Sequence, residues 1–257
     1  MMKPFKHSAL ALAVAGAIAL SAGSALAEGN KPEARDWSFQ GMFGTYDRGA
    51  AQRGFQIYRE VCAGCHSLRL LAYRNLAGIG LNEDQIKAVA AEFEVTDGPN
   101  DEGEMYTRPA RPADRFASPF ANANAARAAN NGALPPDLSL MTKARKGGPD
   151  YLYALLTGYK EEPPDGVKLG EGMQYNAYFP GNQIAMAPPL ADDAVEYADG
   201  TKATAQQLAE DVTVFLAWAA EPEMEERKRM GIKVLLFLIV LTAMLYAVKR
   251  QVWSDQH

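Results

Sequence analysis

The pentapeptide Cys62-Ala63-Gly64-Cys65-His66 constrains this chain most, because it holds both cysteines and the only histidine that lies between the two ends. Two thiols three positions apart, followed at once by a histidine, form the attachment pattern of a c-type haem. The thiols can add to the two vinyl groups of one porphyrin, and the histidine then lies beside the iron. The motif predicts one covalently bound haem c, attached at Cys62 and Cys65, with His66 as proximal iron ligand.

A redox dithiol and a zinc site use the same cysteine spacing. A zinc site needs about four ligands, and the sequence has no second cluster of cysteines and histidines to complete one. A thioredoxin-like dithiol is expected near a βαβ pattern, which the sequence does not display. Haem attachment is therefore the favoured interpretation.

The N-terminus has the layout of a secretory signal peptide. Lys3 and Lys6 precede an apolar run over 9–20, and Ala25-Leu26-Ala27 supplies small residues for cleavage. A retained anchor helix is the alternative, but about a dozen apolar residues are too few to span a bilayer core of roughly 30 Å. We predict cleavage after residue 27 and a mature chain in the periplasm of a bacterium.

The C-terminal region predicts a transmembrane helix over 230–248. Residues 232–248 carry no charge except that of Lys233, and about 20 predominantly apolar residues cross a bilayer. A buried core helix is the alternative, but no polar face interrupts the run. Combined with the signal peptide, the helix predicts a haem domain over 28–229 in the periplasm. The tail over 249–257 is then cytoplasmic, and the protein is a single-pass protein of the inner membrane.

The region between these segments is acidic. Residues 28–229 hold 30 of the 31 acidic residues but 21 of the 26 basic ones, so acids exceed bases by nine. This balance argues against nucleic-acid binding. It favours either electrostatic steering of a basic protein partner or solubility alone. The densest acidic stretch, 92–104, is predicted to be a solvated loop and a candidate partner contact.

Hydrophobic periodicity predicts a mainly α fold with long Pro/Gly-rich connections and no strong strand. A helix before the haem motif and a final helix packed across it resemble the class I cytochrome c architecture. The first helix carries Gly54, where a close crossing could fit. The predicted helices cover 47–61, 82–93 with Asn82 as cap, 150–157 opened by Gly148-Pro149 and stopped at Gly158, and Thr204 to near Pro222 with Thr204 and Gln207 as a capping box.

The second axial ligand of the iron is less constrained. His7 lies in the predicted signal peptide and His257 lies beyond the predicted membrane helix, so a methionine, a lysine, an N-terminal amine or no ligand remain open. Met186 stands out because Pro188 and Pro189 follow it and restrict the backbone. The candidate methionines are Met42, Met105, Met141, Met173, Met186, Met224 and Met230.

Eight motifs occur in order along residues 35–253. They are CAGCHS at 62–67, NNGALPPDLS at 130–139, ARKGG at 144–148, LLTGY at 155–159, YFPG at 178–181, IAMAPP at 184–189, WAAEPE at 218–223 and RKRMG at 227–231. Together they resemble the cytochrome c1 family, the haem subunit of quinol–cytochrome c reductase, also called the cytochrome bc1 complex.

The resemblance implies roles for individual residues. It assigns thioether links to Cys62 and Cys65, and iron ligation to His66 and Met186. Arg145 would pair with a haem propionate, which suits a partly buried carboxylate. Further residues are implied as pocket wall: Tyr151, Asn130, Pro135, Pro136 and Phe179.

The resemblance also implies the function. The chain would be an electron carrier, without a catalytic residue of its own, in a dimeric membrane complex with cytochrome b. It would accept one electron from the Rieske iron–sulfur subunit and pass it to a soluble periplasmic c-type cytochrome. Two rival functions are a five-coordinate haem with peroxidase or ligand-sensing activity, and an anchored cytochrome serving another reductase or oxidase.

Overall fold

The computed structural model describes residues 29–254. The predicted signal peptide over 1–27 and the last three residues of the tail lie outside the described residues. The described chain is mainly helical, and its strands form two small antiparallel sheets. The elements are α1 (Arg48–Ile57), a π-helical turn (Tyr58–Cys62), a 3-10 helix (Tyr73–Ile79), α2 (Glu83–Ala91), β1 (Glu94–Asp97), β2 (Tyr106–Pro109), α3 (Ala123–Ala129), α4 (Met141–Ala144), α5 (Gly148–Thr157), β3 (Gln174–Tyr175), a 3-10 turn (Pro180–Asn182), β4 (Gln183–Ile184), α6 (Ala205–Ala220) and α7 (Met224–Val252).

The first helix leads directly into the haem motif, as predicted. Asp47 caps it by accepting a hydrogen bond from the amide of Ala50 at 3.0 Å. The helix continues into the π-helical turn Tyr58–Cys62, which delivers the first cysteine. Such π-helical turns inside α-helices often lie at functional sites.

Helices α1 and α6 cross in close contact at Gly54. A β-carbon at this position would lie 2.1 Å from the backbone oxygen of Asp211 and 2.6 Å from Cβ of Phe215. Glycine is therefore the only residue that allows this approach without moving one helix. The prediction that Gly54 marks a helix crossing is confirmed.

A buried ion pair lies beside this crossing. Asp211 of α6 has no exposed surface, and Arg53 donates to both of its carboxylate oxygens at 2.9 Å. The hydroxyl of Tyr197 donates to the same carboxylate at 2.9 Å. Because the carboxylate is paired and hydrogen-bonded, its burial is compensated.

The start of α6 differs in one detail from the prediction. Thr204 accepts a hydrogen bond from the amide of Gln207, as an N-cap does. The side chain of Gln207 donates to Asp211 at 3.1 Å instead of accepting from the amide of Thr204, and that amide donates to the carbonyl of Lys202. The predicted capping box is therefore only half formed, because the buried carboxylate recruits the glutamine.

Aromatic side chains form the centre of the core around the α1–α6 crossing. Tyr73 and Phe116 stack with ring centroids 4.4 Å apart, and Phe116 meets Phe55 edge to face at 6.2 Å. Phe215 and Trp218 of α6 continue the cluster. These rings are buried, so they hold the end of α1 and the haem motif against α6.

Two segments of secondary structure depart from the predictions. The helix capped by Asn82 ends at Ala91 instead of Phe93. The acidic stretch 92–104, predicted as a loop, contains strand β1, which pairs antiparallel with β2 from Glu94↔Pro109 to Asp97↔Tyr106. Arg108 on β2 bonds to Asp97 and Asp114, so ion pairs across and beside the hairpin support strands that hydrophobic alternation does not indicate.

The C-terminal helix α7 contains the whole predicted membrane span. It runs for 29 residues without a break, has a mean hydropathy of 2.4 in its most apolar window, and packs against no other part of the described chain there. It is long and apolar enough to cross a membrane. It begins at Met224, six residues before the predicted span, so the helix also includes the basic residues that precede the apolar run.

Replacing Gly54 by alanine is expected to destabilise the fold. The new methyl group would overlap backbone atoms of α6, and overpacking of this kind costs about 1–3 kcal/mol. The midpoint of thermal unfolding of the full chain in detergent should fall by several degrees, about 2–4 °C for each kcal/mol. Gly49→Ala, on the same helix, is the control because its β-carbon would approach only flexible side-chain ends. Equal midpoints for the two variants would contradict a close crossing.

Candidate haem-attachment site

The haem motif forms one tight turn at the end of the π-helical segment. The carbonyl of Cys62 accepts hydrogen bonds from the amides of Cys65 at 3.1 Å and His66 at 2.9 Å. Both thiols are free; Cys62 is half-buried and Cys65 is exposed. Burial, and next the neighbouring Cys65, raise the pKa of the Cys62 thiol to about 12. The turn therefore presents two thiols and an imidazole together, and the Cys62 thiol is held in its protonated form.

The imidazole of His66 is oriented by a backbone carbonyl. Its Nδ1 lies 2.8 Å from the carbonyl oxygen of Pro136, and because a carbonyl only accepts, Nδ1 carries the proton. The other nitrogen, Nε2, then has a free lone pair, as a metal-ligating histidine requires. Burial lowers the pKa of His66, which also favours the neutral ring. Pro136, predicted only as pocket wall, fixes the tautomer of His66 through its carbonyl.

Asp137 holds the two segments of the site together. Its carboxylate accepts hydrogen bonds from the hydroxyl of Ser67 at 2.8 Å and the amide of Arg69 at 2.9 Å, and also from the amide of Ser139. Burial alone would raise the pKa of Asp137, but the hydrogen bonds from Ser139, Arg69 and Ser67 outweigh it and lower it to about 2. A charged carboxylate thus ties the segment after His66 to the segment that carries the Pro136 carbonyl.

An open cavity of about 650 Å³ lies beside Asp137. Its volume is within the size range of small-molecule and cofactor sites. Its walls include Leu70 and Leu140, which are 58% and 45% exposed. Exposed leucines at the wall of a concave site favour an apolar ligand that covers them. The complete lining is Arg69, Leu70, Pro136, Asp137, Leu140, Met141, Ala144 and Arg145.

The donor set and this cavity fit a haem c. Two thiols on one turn match a two-point covalent attachment, and the free Nε2 of His66 matches an axial ligand. The guanidinium of Arg145 lies at the wall of the same cavity, where it can pair with a carboxylate. Apolar walls with Arg145 at the edge, beside the paired Arg69 and Asp137, suit a flat apolar ring that carries acidic substituents.

The predicted site residues do not all line this cavity. Pro136 and Arg145 do, whereas Cys62, Cys65, His66, Met186, Asn130, Pro135, Tyr151 and Phe179 are not among its lining residues. His66 is joined to the cavity wall through its bond to the carbonyl of Pro136. Tyr151, in the first turn of α5, is close enough to Arg145 for the cation to lower the pKa of its phenol, although burial raises that pKa overall. Asn130 donates to the carbonyl of Ala126 at the end of α3.

The loop that carries Phe179 and leads to Met186 is held by Asn176, which sequence reasoning missed. Asn176 is fully buried and donates to the carbonyl of Leu155 on α5 at 2.8 Å. Its side-chain oxygen accepts from the amides of Tyr178 and Phe179. Met186 itself is half-buried in the bend that follows β4.

Tyr159 is a second residue without a sequence signal. Its hydroxyl is buried and, within residues 29–254, is the one buried side-chain oxygen or nitrogen without a hydrogen-bond partner. Burial, with a contribution from the nearby Tyr151, raises its pKa. An unpaired buried hydroxyl is costly, and the hydroxyl of Tyr159 is free to donate to a further acceptor.

Comparison with known proteins shows the family of this chain. Residues 37–256 match the model of the Cytochrome C1 family. Cytochrome c1 of Rhodospirillum rubrum is 50% identical over 262 aligned positions, covering 95% of this chain and 96% of that protein. The mitochondrial heme protein cytochrome c1 1 of Arabidopsis thaliana is 52% identical, covering 96% of this chain and 82% of its own length. The cytochrome b-c1 complex catalytic subunit of Candida albicans is 52% identical, covering 90% and 80%.

Removing the charge of Asp137 is expected to loosen the site. Asp137→Asn replaces an acceptor oxygen by a donor group facing N–H and O–H donors, and should cost about 1–3 kcal/mol of unfolding free energy at neutral pH. Denaturant unfolding of the full chain measures the effect. Asp101→Asn, at an exposed position, is the control and should leave stability unchanged.

The same pair of proteins gives a pH test. Asp137 has a lowered pKa in the folded state, so its stabilisation is present above the unfolded value near 3.9 and is lost as the pH falls towards 2. The difference between wild type and Asp137→Asn should therefore shrink between about pH 5 and pH 2. A difference that stays constant over this range would contradict a stabilising role of the charged Asp137 carboxylate.

Proposed function

The chain belongs to the cytochrome c1 family, and we propose that it carries one haem c as the electron-carrier subunit of a cytochrome bc1 complex. When bound, the haem iron supplies a one-electron redox couple. The observation that carries the proposal is the bond between Nδ1 of His66 and the Pro136 carbonyl. It fixes the imidazole in the metal-binding tautomer on the same turn as both thiols.

The residues of this chain divide the work of holding the haem. Cys62 and Cys65 would fix its position covalently, His66 would bind the iron from one face, and Arg145 would pair with a propionate. Leu70 and Leu140 would exclude water from the ring face. Asn130, Pro135, Pro136, Tyr151 and Phe179 would complete the surrounding wall.

Met186 is the proposed second iron ligand. It follows the short strand β4 and precedes Pro188 and Pro189, so the backbone on both sides is restricted. The buried Asn176 anchors the same loop to α5. His/Met ligation raises the potential of a c-type haem, which suits transfer of an electron to another c-type cytochrome.

The proposed electron path passes through this site once per turnover. The Rieske iron–sulfur subunit would donate one electron, and a soluble c-type cytochrome would remove it, within a dimeric complex that contains cytochrome b. The chain's part is to set the potential through its ligands and to keep a haem edge accessible, as the openness of the cavity beside Arg69 allows. No bond of a substrate is made or broken by its side chains.

The topology follows from α7 and the N-terminal segment. We propose that residues 1–27 are removed, that 28–229 lie in the periplasm, that 230–248 cross the inner membrane, and that 249–257 are cytoplasmic. The apolar helix Met224–Val252 supports an anchor. The compartment follows from covalent haem attachment, which resembles a periplasmic maturation process. Protease treatment of intact spheroplasts tests the orientation, since it should digest the haem domain and spare the tail.

Met186→Leu is expected to lower the midpoint potential by on the order of hundreds of mV, since axial ligands move haem potentials over about 0.8 V. The measurement is a redox titration of the membrane-bound protein, with its reduced-minus-oxidised spectrum and the ferric band that reports a methionine–iron bond.

Met173→Leu is the matched control, because Met173 is a half-buried methionine in the segment just before β3. It should keep the wild-type potential. An unchanged potential in Met186→Leu would mean that another group, or none, is the second ligand. Absence of a c-type band in the wild-type protein would count against haem attachment at Cys62 and Cys65.

The exposed acids at the tip of the β1–β2 hairpin are predicted to speed docking of a basic acceptor. Neutralising Asp101, Glu102 and Glu104 together should lower the second-order rate of acceptor reduction, by up to about tenfold at low ionic strength. The effect should vanish at high salt, because exposed charges are screened there.

A matched control neutralises three exposed acids of a different loop, Glu161, Glu162 and Asp165. Stopped-flow reduction of a soluble c-type cytochrome measures both variants. If the control slows the reaction and the hairpin variant does not, the acceptor docks on the other loop.

A further inference from the structure

The segment Phe39–Gly44, called here the tip loop, presents two large apolar side chains to solvent. Met42 is 58% exposed and Phe43 is 80% exposed, the highest value for a large apolar residue in the described chain. The aromatic residues at the two ends are buried instead: Phe39, where the loop begins, and Tyr46, just beyond its last residue, lie in the core. The exposure is therefore confined to the tip.

The chain that leaves the tip loop runs alongside the start of α7. Arg48 donates to Glu225 at 2.9 Å, and the amide of Tyr46 donates to the other carboxylate oxygen of Glu225 at 2.9 Å. Two residues nearer the tip, the carbonyl of Gly44 accepts from Lys228 at 3.0 Å. From Glu225 to Lys228 the helix advances by about 4.5 Å towards its apolar part.

The chain that enters the tip loop meets the same lysine. The ammonium group of Lys228 also donates to the carbonyl of Phe39 at 2.7 Å, so one side chain clamps both ends of the loop. Hydrogen bonds from Thr45 to Ser38 and from Gln40 to Trp37 close its base. Both arms are thus fixed at the level of Lys228, and the tip extends beyond them.

Glycines at both ends give the loop its sharp shape. Gly41 has a φ of +70°, which favours glycine. A β-carbon on Gly44 would lie 1.9 Å from the carbonyl oxygen of Gln40. Met42 and Phe43 therefore stand on a tight, internally bonded turn instead of a loose connection.

The apolar part of α7 begins within reach of this turn. Ile232 follows Lys228 by four residues, which is about 6 Å along the helix axis. Two extended residues beyond the clamp reach about 7 Å. Arg227 and Arg229 are exposed at the same level, where basic side chains meet anionic lipid headgroups.

We propose that Met42 and Phe43 insert into the boundary between lipid headgroups and acyl chains, on the side of the membrane that carries the haem domain. Aromatic and apolar side chains beside basic residues favour this depth. The tip loop is then a second attachment point of the haem domain, separate from α7. This inference rests on the proposed insertion of α7 in a bilayer.

The test measures lipid contact directly. Phe43→Cys in the assembled complex is labelled with a nitroxide and reconstituted in vesicles of phosphatidylcholine and phosphatidylglycerol. The relaxation of the label by oxygen, which partitions into acyl chains, is compared with its relaxation by a water-soluble nickel chelate. Met42→Cys gives an independent second position. An unchanged c-type absorption band confirms that each labelled protein is folded.

Two labelled controls set the scale. Leu238→Cys lies in the middle of the apolar run of α7, and Asp101→Cys lies on the exposed β1–β2 hairpin. Positions 42 and 43 are expected to show an oxygen-to-nickel ratio several-fold above position 101. Labels at positions 42 and 43 that are both accessible to the nickel chelate would overturn the proposal.

Two further outcomes identify what is wrong. Labels at 42 and 43 that are shielded from both reagents in the complex would mean that a protein subunit covers the loop, which also overturns lipid contact. A nickel-accessible label at Leu238 would show that α7 does not cross the bilayer. That result would overturn the proposed topology together with this inference. A label in contact with lipid at 238 but not at 42 and 43 would overturn this inference and leave the topology in place.

Discussion

The close crossing of α1 and α6 at Gly54 is the constraint on which the rest of the structure depends. The backbone of Asp211 occupies the space that any other side chain at this position would need. Beside it, the buried Asp211 carboxylate is bonded to Arg53 and Tyr197. Breaking such a pair would leave a buried charge uncompensated, at a cost of several kcal/mol. Because α1 ends in the haem motif, the angle of this crossing decides where the two thiols lie.

The site is built mainly by groups that would not touch a haem. The carbonyl of Pro136 orients His66, Asp137 binds the segments on either side of that bond, and Asn176 ties the Met186 loop to α5. Each of these contacts joins segments more than 20 residues apart in the chain. The predicted ligands His66 and Met186 are therefore positioned by long-range hydrogen bonds, which explains how a region rich in proline and glycine can hold a defined geometry.

This division also explains what the sequence could predict. The helix leading to Cys62, the role of Gly54 and the end of α5 at Gly158 follow from local patterns and are confirmed. The capping box at Thr204 and the loop over 92–104 were wrong in part, because Asp211 attracts Gln207 and Arg108 pairs with Asp97 and Asp114. Asn176, Tyr159 and the leucine walls carry no local signal, since their roles depend on segments that are distant in sequence. The axial role of Met186 stays a prediction.

The start of α7 is fixed to the rest of the chain by two side chains: Arg48 donates to Glu225 of α7, and Lys228 of α7 donates to the carbonyls of Phe39 and Gly44. Only three residues separate α6 from α7. The first turns of α7 are hydrogen-bonded to Arg48 at the start of α1 and to the segment before it. If α7 crosses the bilayer as proposed, the haem domain and this helix would move as one body, and contacts within the chain would set the distance between the site and the bilayer. A protein that delivers or removes an electron would then have to move to the site.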